Sequence, residues 1–346
     1  MRALIPTPFR AAAAGLALAI LPMLAGCGAA RLSAGTPIAV QARPARLGAD
    51  VPAPMAPGIR FLGALDLSSP RRHFGGLSSL RWESGWLHAL SDEDGAWYAL
   101  RPRERGGRLV GIDQARTTNL LDSDGAPLVG KRKSDAEAME FVHSCKARSC
   151  SPSAVLVALE RDHRVLRYEL SGGLPAGRPA RLGGMDSWLA RQPDNEGVEA
   201  MASDESGTLL ISEGLRTPGG EAAALLVSPP LGTSTEQTRR AQDIAVPAPG
   251  SMRPSDLVAL GGGRFILLRR SWSEAAGFAV AVEELTLRET TAKVHEIIRL
   301  APPFISENFE GVALRKAGDR AFLYFIADDN FEPSQRTLLL KFELPT

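Results

Sequence analysis

Glu310-Gly-Val312 and Ile326-Ala-Asp-Asp329 mark the start and the end of a strand pair that recurs along this sequence. Each copy consists of a small or acidic residue, a small residue and an aliphatic residue, then a strand, a turn, a stronger strand and a charged residue. Self-similarity at a fixed spacing is typical of a ring or stack of repeated units. The copies are 62, 62, 56 and 55 residues apart and begin at Gly75, Glu137, Glu199, Ser255 and Glu310. The third copy can also be read from Glu196-Gly-Val198.

Each interval between copies holds about four short β-strands, which is the content of one propeller blade. Runs such as Ala154–Leu159 and Ala321–Ile326 are short and β-rich, and Gly, Pro, Asp or Ser residues bound them. Helical spacing over ten or more residues is scarce, so the periodicity indicates an all-β protein.

The last copy contains only three strands, Glu310–Arg315, Ala321–Ala327 and Gln335–Leu344. The strand Ile59–Leu67 precedes the first copy and can complete the last blade, which would close the ring without open edges. We therefore predict a single β-propeller of five four-stranded blades, closed by pairing of the N-terminal strand with the last blade. Six blades are the alternative if one blade lacks the motif, and a two-sheet sandwich also accommodates such strands.

The composition limits the possible classes of protein. The chain has 346 residues, 44% of them hydrophobic, which is enough for a sizeable core and excludes disorder throughout. The formal net charge is +1, from 40 Lys and Arg against 39 Asp and Glu. A dedicated nucleic-acid binder would have a basic excess, so we expect no nucleic-acid partner. We also expect the protein to be a monomer.

The N-terminus has the pattern of a bacterial lipoprotein. Arg2 and Arg10 precede and flank the uncharged apolar run Ala11–Leu24, which is too short to cross a bilayer comfortably and suits a signal peptide. Leu24-Ala-Gly-Cys27 resembles a lipobox, which implies removal of residues 1–26 and a lipid on the Cys27 thiol. Gly28 then favours the periplasmic face of the outer membrane by the usual sorting rule. An ordinary signal peptide with an incidental Cys is the alternative.

Two further segments complete the predicted organisation. Residues 27–58 begin with the lipidated Cys27 and are rich in Ala, Pro and Gly, so we expect a flexible tether before a propeller domain at 59–346. Cys145 and Cys150 are close in sequence, and an oxidising periplasm favours a disulfide between them. The alternative is a metal pair with His143 as a third ligand.

Several motifs resemble the phytase-like ("esterase-like activity of phytase") family of bacterial exported proteins over roughly residues 60–345. They are Gly75–Leu80, Ala89–Gly95, Val157–Glu160, Val165–Leu170, Asn195–Met201, Ile266–Trp272, Asn308–Ala313, Ile326–Phe331, Gln335–Thr337 and Lys341–Leu344. The resemblance implies a propeller related to calcium-dependent phytases, which hydrolyse phosphomonoesters with several Ca²⁺ ions in an acidic central funnel. This sequence lacks a continuous acidic calcium-binding signature with the spacings of those enzymes, so no phytase residue can be carried over individually.

In a propeller, the ends of the inner strands meet at one mouth, so charged residues at equivalent blade positions converge. The catalytic candidates are Glu160, Glu213, Asp328 and Asp329. The ligand-binding candidates are Asp92, Arg161, Arg269, Arg270, Glu137, Glu199 and Glu310. The metal-binding candidates are Asp92, Glu160, Glu213 and Asp328.

Clustered carboxylates repel one another unless a cation neutralises them or their pKa rises. Ca²⁺ takes six to eight oxygen ligands and could polarise a phosphoryl oxygen or activate water. The Arg candidates could then bind a small phosphorylated or anionic ligand. These features favour a metal-assisted phosphoesterase or esterase of the cell envelope. A non-catalytic propeller that binds a ligand or a protein is the alternative, with the acidic residues fixing turn geometry.

Overall fold

The computed structural model describes residues 35–48, 55–146, 149–233 and 238–345. The signal peptide predicted at 1–26 and the lipidation predicted at Cys27 lie outside the described residues. No helix among the described residues is long and apolar enough to cross a membrane.

The described residues form mainly strands. Three precede the first repeat: β1 (Thr36–Pro37), β2 (Gln41–Ala45) and β3 (Arg60–Ser68). Blade 1 contains β4 (Leu77–Glu83), β5 (Trp86–Ser91), β6 (Ala96–Arg105) and β7 (Arg108–Asn119). Blade 2 contains β8 (Ala136–Lys146), β9 (Ser149–Leu159), β10 (Arg164–Ser171) and β11 (Leu174–Leu182). Blade 3 contains β12 (Val198–Asp204), β13 (Gly207–Arg216), β14 (Ala222–Ser228) and β15 (Arg240–Val246). Blade 4 contains β16 (Arg253–Gly261), β17 (Arg264–Ser273), β18 (Gly277–Arg288) and β19 (Thr291–Leu300). Blade 5 contains β20 (Asn308–Ala317), β21 (Arg320–Asp328), β22 (Leu338–Leu344) and, from the start of the chain, β3. The short helices α1 (Lys131–Ser134) and α2 (Asp186–Leu189) lie in the connections before blades 2 and 3.

The ring closes as the sequence predicts. β3 pairs antiparallel with β22, with Leu65 opposite Leu339, so the first long strand completes the last blade. The inner strands β4, β8, β12, β16 and β20 contact one another in a cycle around the axis. The prediction of an all-β propeller with five four-stranded blades is therefore confirmed.

Part of the segment expected to be a flexible tether is ordered against the propeller. Thr36 pairs with Thr117 at the outer edge of blade 1, and Ala45 pairs with Ala64 at the outer edge of blade 5. The Ala56 N–H then donates to the Ile297 carbonyl of blade 4 over 2.7 Å. We call residues 35–48 and 55–58 the N-terminal belt. The composition of this segment does not predict these strands. An edge strand pairs with free backbone groups of its neighbour, so its own sequence does not need alternating apolar residues.

A buried ionic hub connects the five blades below the mouth. Arg81 of blade 1 donates from Nη1 to the Asp256 carboxylate of blade 4, at 2.9 and 3.0 Å. Its Nε donates to Glu140 of blade 2 over 3.0 Å. The same guanidinium donates to the carbonyls of Met201 in blade 3 (2.6 Å) and Val312 in blade 5 (3.2 Å). One side chain therefore fixes the inner strands relative to one another.

A disulfide joins Cys145 and Cys150 across the hairpin of β8 and β9. His143, the third ligand of the alternative metal interpretation, instead contacts Glu83, with 2.8 Å between His143 Nε2 and Glu83 Oε2.

Candidate functional site

Each inner strand carries a register shift at its first residues, where it pairs with the second strand of its blade. A β-bulge sets two residues against one and re-aims the extra side chain. The residues at the five shifts are Ser78, Glu137, Glu199, Ser255 and Glu310. Three of them are glutamates, and they influence one another electrostatically although they come from different blades. The bulges therefore gather glutamates from three blades beside the axis.

A second set of charges lies within three residues of the end of the second strand of each blade. The equivalent residues are Asp92, Glu160, Glu213, Arg270 and Asp328. Arg270 Nη2 lies 2.9 Å from Glu310 Oε1 and 3.7 Å from Glu213 Oε1, so this set meets the bulge residues. The two sets together contain eight charged residues, which we call the acidic funnel: Asp92, Glu137, Glu160, Glu199, Glu213, Arg270, Glu310 and Asp328. The structure thus brings together most of the candidates from the sequence.

Three sequence candidates, Arg161, Arg269 and Asp329, are not among these eight residues, and for Arg269 and Asp329 this corrects the expected placement. Arg269 is completely buried within blade 4, where its Nε donates to Glu283 over 2.7 Å. Asp329 accepts hydrogen bonds from the Gly76 N–H (3.1 Å) and the Thr337 hydroxyl (2.9 Å), so it fixes loops of the mouth. Successive residues of a strand point to opposite faces, so only one residue of each adjacent pair can face the axis.

The connections add residues that the repeat pattern does not reveal. Lys131 contacts Asp92, and its Nζ lies 2.8 Å from Asp135 Oδ1. Arg161, a candidate from the sequence, ion-pairs with the same Asp135 at the edge of the funnel. On the opposite side, Arg253 pairs with Glu196 and lies 3.7 Å from Glu213. Lys131 and Asp135 have the spacing of a helical ion pair just before β8, which is the one signal that could have identified them.

Burial and mutual repulsion hold protons on this cluster. Burial raises the pKa of Glu137 and Glu199 well above the ordinary value, and repulsion between them raises the pKa of Glu137 further. Burial likewise raises the pKa of Glu160 to about 7, although the Gly197 N–H donates to its carboxylate over 2.6 Å. The pKa of Glu310 rises to about 7 for the same reason, despite the neighbouring guanidinium of Arg270. The apo cluster therefore cannot ionise fully at neutral pH without a further cation.

Acidic groups outnumber basic groups here. The carboxyl groups in and around the funnel are Asp92, Asp135, Glu137, Glu160, Glu196, Glu199, Glu213, Glu310 and Asp328. The basic groups are Lys131, Arg161, Arg253 and Arg270. An organic anion alone would be repelled by such a site, whereas a divalent cation would be attracted.

Two groups of carboxylates have the geometry to hold a metal ion. Oxygens of Glu137, Glu160 and Glu199 lie within 4.8 Å of one another, and so do oxygens of Asp92, Asp135 and Glu137. The groups share Glu137. All of these ligands are hard oxygens, which fits Ca²⁺ and not a soft metal. Of the predicted metal ligands, Asp92 and Glu160 each belong to one group, whereas Glu213 and Asp328 lie beside Arg270 and Glu310.

A buried oxygen without a partner adds to this fit. Asn308 is 3% exposed, and its Nδ2 donates to Glu310 Oε1 (2.8 Å) and Asp328 Oδ2 (3.2 Å). Its Oδ1 has no hydrogen-bond partner in the described part of the chain. A buried acceptor normally has a partner, so a cation or a water next to Asn308 would satisfy it.

Comparison with known proteins identifies the family. The sequence profile described as "Phytase-like: Esterase-like activity of phytase" matches residues 72–331, which is more than half of the chain. A search of curated proteins gives no significant match.

Solved structures give weak similarities. A luciferin-regenerating enzyme has a TM-score of 0.36 and 9% identity, over 78% of this chain and 92% of its own. A glucose dehydrogenase has a TM-score of 0.35 and 12% identity, over 90% and 97%. The allergen Mala s 1 of Malassezia sympodialis has a TM-score of 0.35 and 14% identity, over 90% and 96%. Nothing about the site follows from such low scores.

Proposed function

Because this chain belongs to the phytase-like family, we propose that it is a metal-assisted esterase that hydrolyses phosphate esters in the acidic funnel. The observation that carries the proposal is the buried carboxylate cluster in which Glu137, Glu160 and Glu199 bring oxygens within 4.8 Å of one another. Three such carboxylates are stable together only if they are protonated or neutralised by a cation. Glu137 and Glu199 come from separate blades, so the propeller fold itself brings these carboxylates together.

In this proposal, Glu137, Glu160 and Glu199 hold one Ca²⁺, and Asp92 and Asp135 hold a second with Glu137. When bound, such ions polarise a phosphoryl oxygen and lower the pKa of a coordinated water. Lys131 keeps Asp92 and Asp135 close together, because it contacts both carboxylates.

Arg270 orients the ester. Glu310 and Glu213 hold its guanidinium, and its Nε is a buried donor without a hydrogen-bond partner among the described residues. An anionic phosphoryl oxygen is a suitable acceptor for that donor. Arg161, which is 27% exposed at the side chain, can attract the same anion at the edge of the funnel.

Hydrolysis adds water across the ester P–O bond, so one proton must leave the water and one must reach the departing oxygen. Glu310 and Asp328 belong to blade 5, next to Asp92 of blade 1, and are not members of the two carboxylate groups; Asn308 links them. The pKa of Glu310 is raised to about 7, and burial raises the pKa of Asp328 as well. A group with a pKa near neutral pH, such as Glu310, suits both halves of this proton transfer.

The test measures hydrolysis of phenyl phosphate by purified mature protein from which metal has been removed, with Ca²⁺ then titrated in. We expect turnover only with Ca²⁺, and a loss of at least 100-fold in Glu137→Gln and Glu199→Gln. Glu296→Gln is the matched control, because Glu296 pairs with Arg299 on the outer strand of blade 4. Absence of metal-dependent turnover would reject the esterase, and a Ca²⁺-dependent thermal shift without turnover would instead identify a binding propeller.

We also propose that the protein is a lipoprotein anchored through Cys27 on the periplasmic face of the outer membrane. Gly35 follows Cys27 by eight residues and begins the N-terminal belt, so the connection can span at most about 29 Å. The anchor would therefore keep the propeller near the membrane surface. Incorporation of labelled palmitate into the wild type but not into Cys27→Ser tests this, and equal labelling of both would reject it.

A further inference from the structure

Exposed large hydrophobic side chains are rare on the described surface, and they concentrate at the mouth. They are Val129 at 66%, Trp272 at 61% and Phe331 at 40% exposure. Val129 lies in the connection before β8, Trp272 lies near the end of β17, and Phe331 lies in the connection between β21 and β22, each at the funnel end of its blade. Scattered apolar side chains need no explanation, but three around one opening do.

Phe331 borders the funnel directly. Its ring lies over Gly76, where an added Cβ would come within 2.8 Å of Phe331 Cε2 and 2.5 Å of Asp92 Oδ1. The Phe331 ring and the Asp92 carboxylate therefore both lie next to the backbone of Gly76. His73 adds an edge contact with the Phe331 ring, with 6.0 Å between the ring centroids. An aromatic surface thus adjoins a proposed metal ligand.

Trp272 and Val129 extend this surface to the neighbouring blades. Trp272 follows Arg270 by two residues in β17, so its side chain lies on the same strand face, about 7 Å further out. Val129 precedes Lys131 by two residues, and Lys131 contacts Asp92. Trp272 and Phe331 thus lie two and three residues after the funnel residues Arg270 and Asp328, and Val129 lies two residues before Lys131, on blades 4 and 5 and after blade 1. We call Val129, Trp272 and Phe331 the apolar rim.

We propose that the apolar rim binds the aromatic or branched alkyl group of an ester whose phosphoryl group enters the acidic funnel. This inference rests on the proposed function and adds the substrate class. An amphipathic monoester satisfies both surfaces at once, because its anionic end meets Arg270 and the cations while its organic group covers Trp272 and Phe331. A polyphosphorylated polyol has no apolar part to cover them, so it would be the poorer substrate.

The test compares 1-naphthyl phosphate with methyl phosphate as substrates of the Ca²⁺-loaded full-length mature protein. We expect the wild type to have a KM for the naphthyl ester at least ten times lower than that for the methyl ester. In Trp272→Ser/Phe331→Ser, the ratio of the two KM values should fall about tenfold. Val294→Ser is the matched control, since Val294 is a half-buried apolar residue on the outermost strand of blade 4, and it should keep the wild-type ratio.

Failure of this inference can be distinguished from failure of the esterase. If the wild type hydrolyses neither ester, the proposed function fails, and the rim is still tested by calorimetric Kd values for the two esters with Ca²⁺ present. A wild-type preference for 1-naphthyl phosphate that the double variant loses supports the rim in either assay. Equal KM or Kd values for the two esters would overturn it. Rim-dependent sedimentation of the unlipidated protein with phosphatidylethanolamine–phosphatidylglycerol vesicles would also overturn it, because the rim would then be a membrane contact.

Discussion

Replacing Arg81 by Met should cost more stability than any other single loss of a charge outside the funnel. The substitution leaves Asp256, whose side chain is completely buried, and Glu140 without their cation. It also leaves the carbonyls of Met201 and Val312 without this donor. Removal of one partner from a buried ion pair costs about 3–5 kcal/mol. Since a domain is stable by only about 5–15 kcal/mol, Arg81→Met should remove a large share of the total.

The assay is urea unfolding at pH 7 and fixed Ca²⁺ concentration, followed by circular dichroism and tryptophan fluorescence. Arg103→Met is the matched control, because Arg103 pairs with Asp113 over 3.8 Å at the surface, and this pair should contribute about 0–1 kcal/mol. Burial raises the pKa of Asp256, and the charge of Arg81 counteracts that rise. Without Arg81 the folded-state pKa rises further, so the variant should lose additional stability from pH 5 to pH 8. Equal losses in Arg81→Met and Arg103→Met would refute the role of the hub.

Three further outcomes are expected. Burial lowers the pKa of His88 to about 3 in the folded state, so its contribution to stability is complete above about pH 6.5. This contribution to the free energy of unfolding should fall by about 1.4 kcal/mol for each pH unit of acidification. The difference in unfolding free energy between wild type and His88→Asn, followed from pH 6.5 to pH 4.5, measures it. Glu160 and Glu310 have folded-state pKa values raised to about 7, so chelated protein should lose thermal stability from pH 5 to pH 8, and Ca²⁺ should restore it. A Tm that rises over that range in chelator would contradict this. Gly63→Ala should destabilise the protein by about 1–3 kcal/mol, because Gly63 of β3 has a φ of +129° and an added Cβ would lie 2.7 Å from the Leu109 carbonyl oxygen. A urea unfolding curve identical to that of the wild type would exclude this steric strain.

The architecture could be predicted because its determinants are local and repeated. The copies that begin at Glu137 and Glu310 are similar in sequence, and each implies one blade wherever it occurs. The strand predicted at Ile59–Leu67 is observed as Arg60–Ser68 in the fifth blade. The last copy has only three strands, and a closed ring leaves only one position for the extra strand.

The detailed site could not be predicted to the same extent. Arg269 and Arg270 are adjacent in the sequence, so one of them faces the propeller axis and the other faces the interior of the blade. A periodic pattern does not show which of the two faces the axis. Asp135 and Lys131 lie in an irregular connection, where the fold of the loop and not a repeat brings them to Asp92. The N-terminal belt was missed because backbone pairing, rather than apolar side chains, holds Thr36 and Ala45 in place.

The pairing of β3 with β22 has a consequence for how the chain acquires its structure. Blades 1 to 4 consist of hairpins between neighbouring segments, which can form as soon as each segment is available. Blade 5 needs Leu65 from the beginning of the chain and Leu339 from its end. Its assembly must therefore wait until synthesis of the whole polypeptide is complete. A chain truncated before β22 would keep four finished blades but present two unpaired strand edges, which are the surfaces that proteases and aggregation exploit.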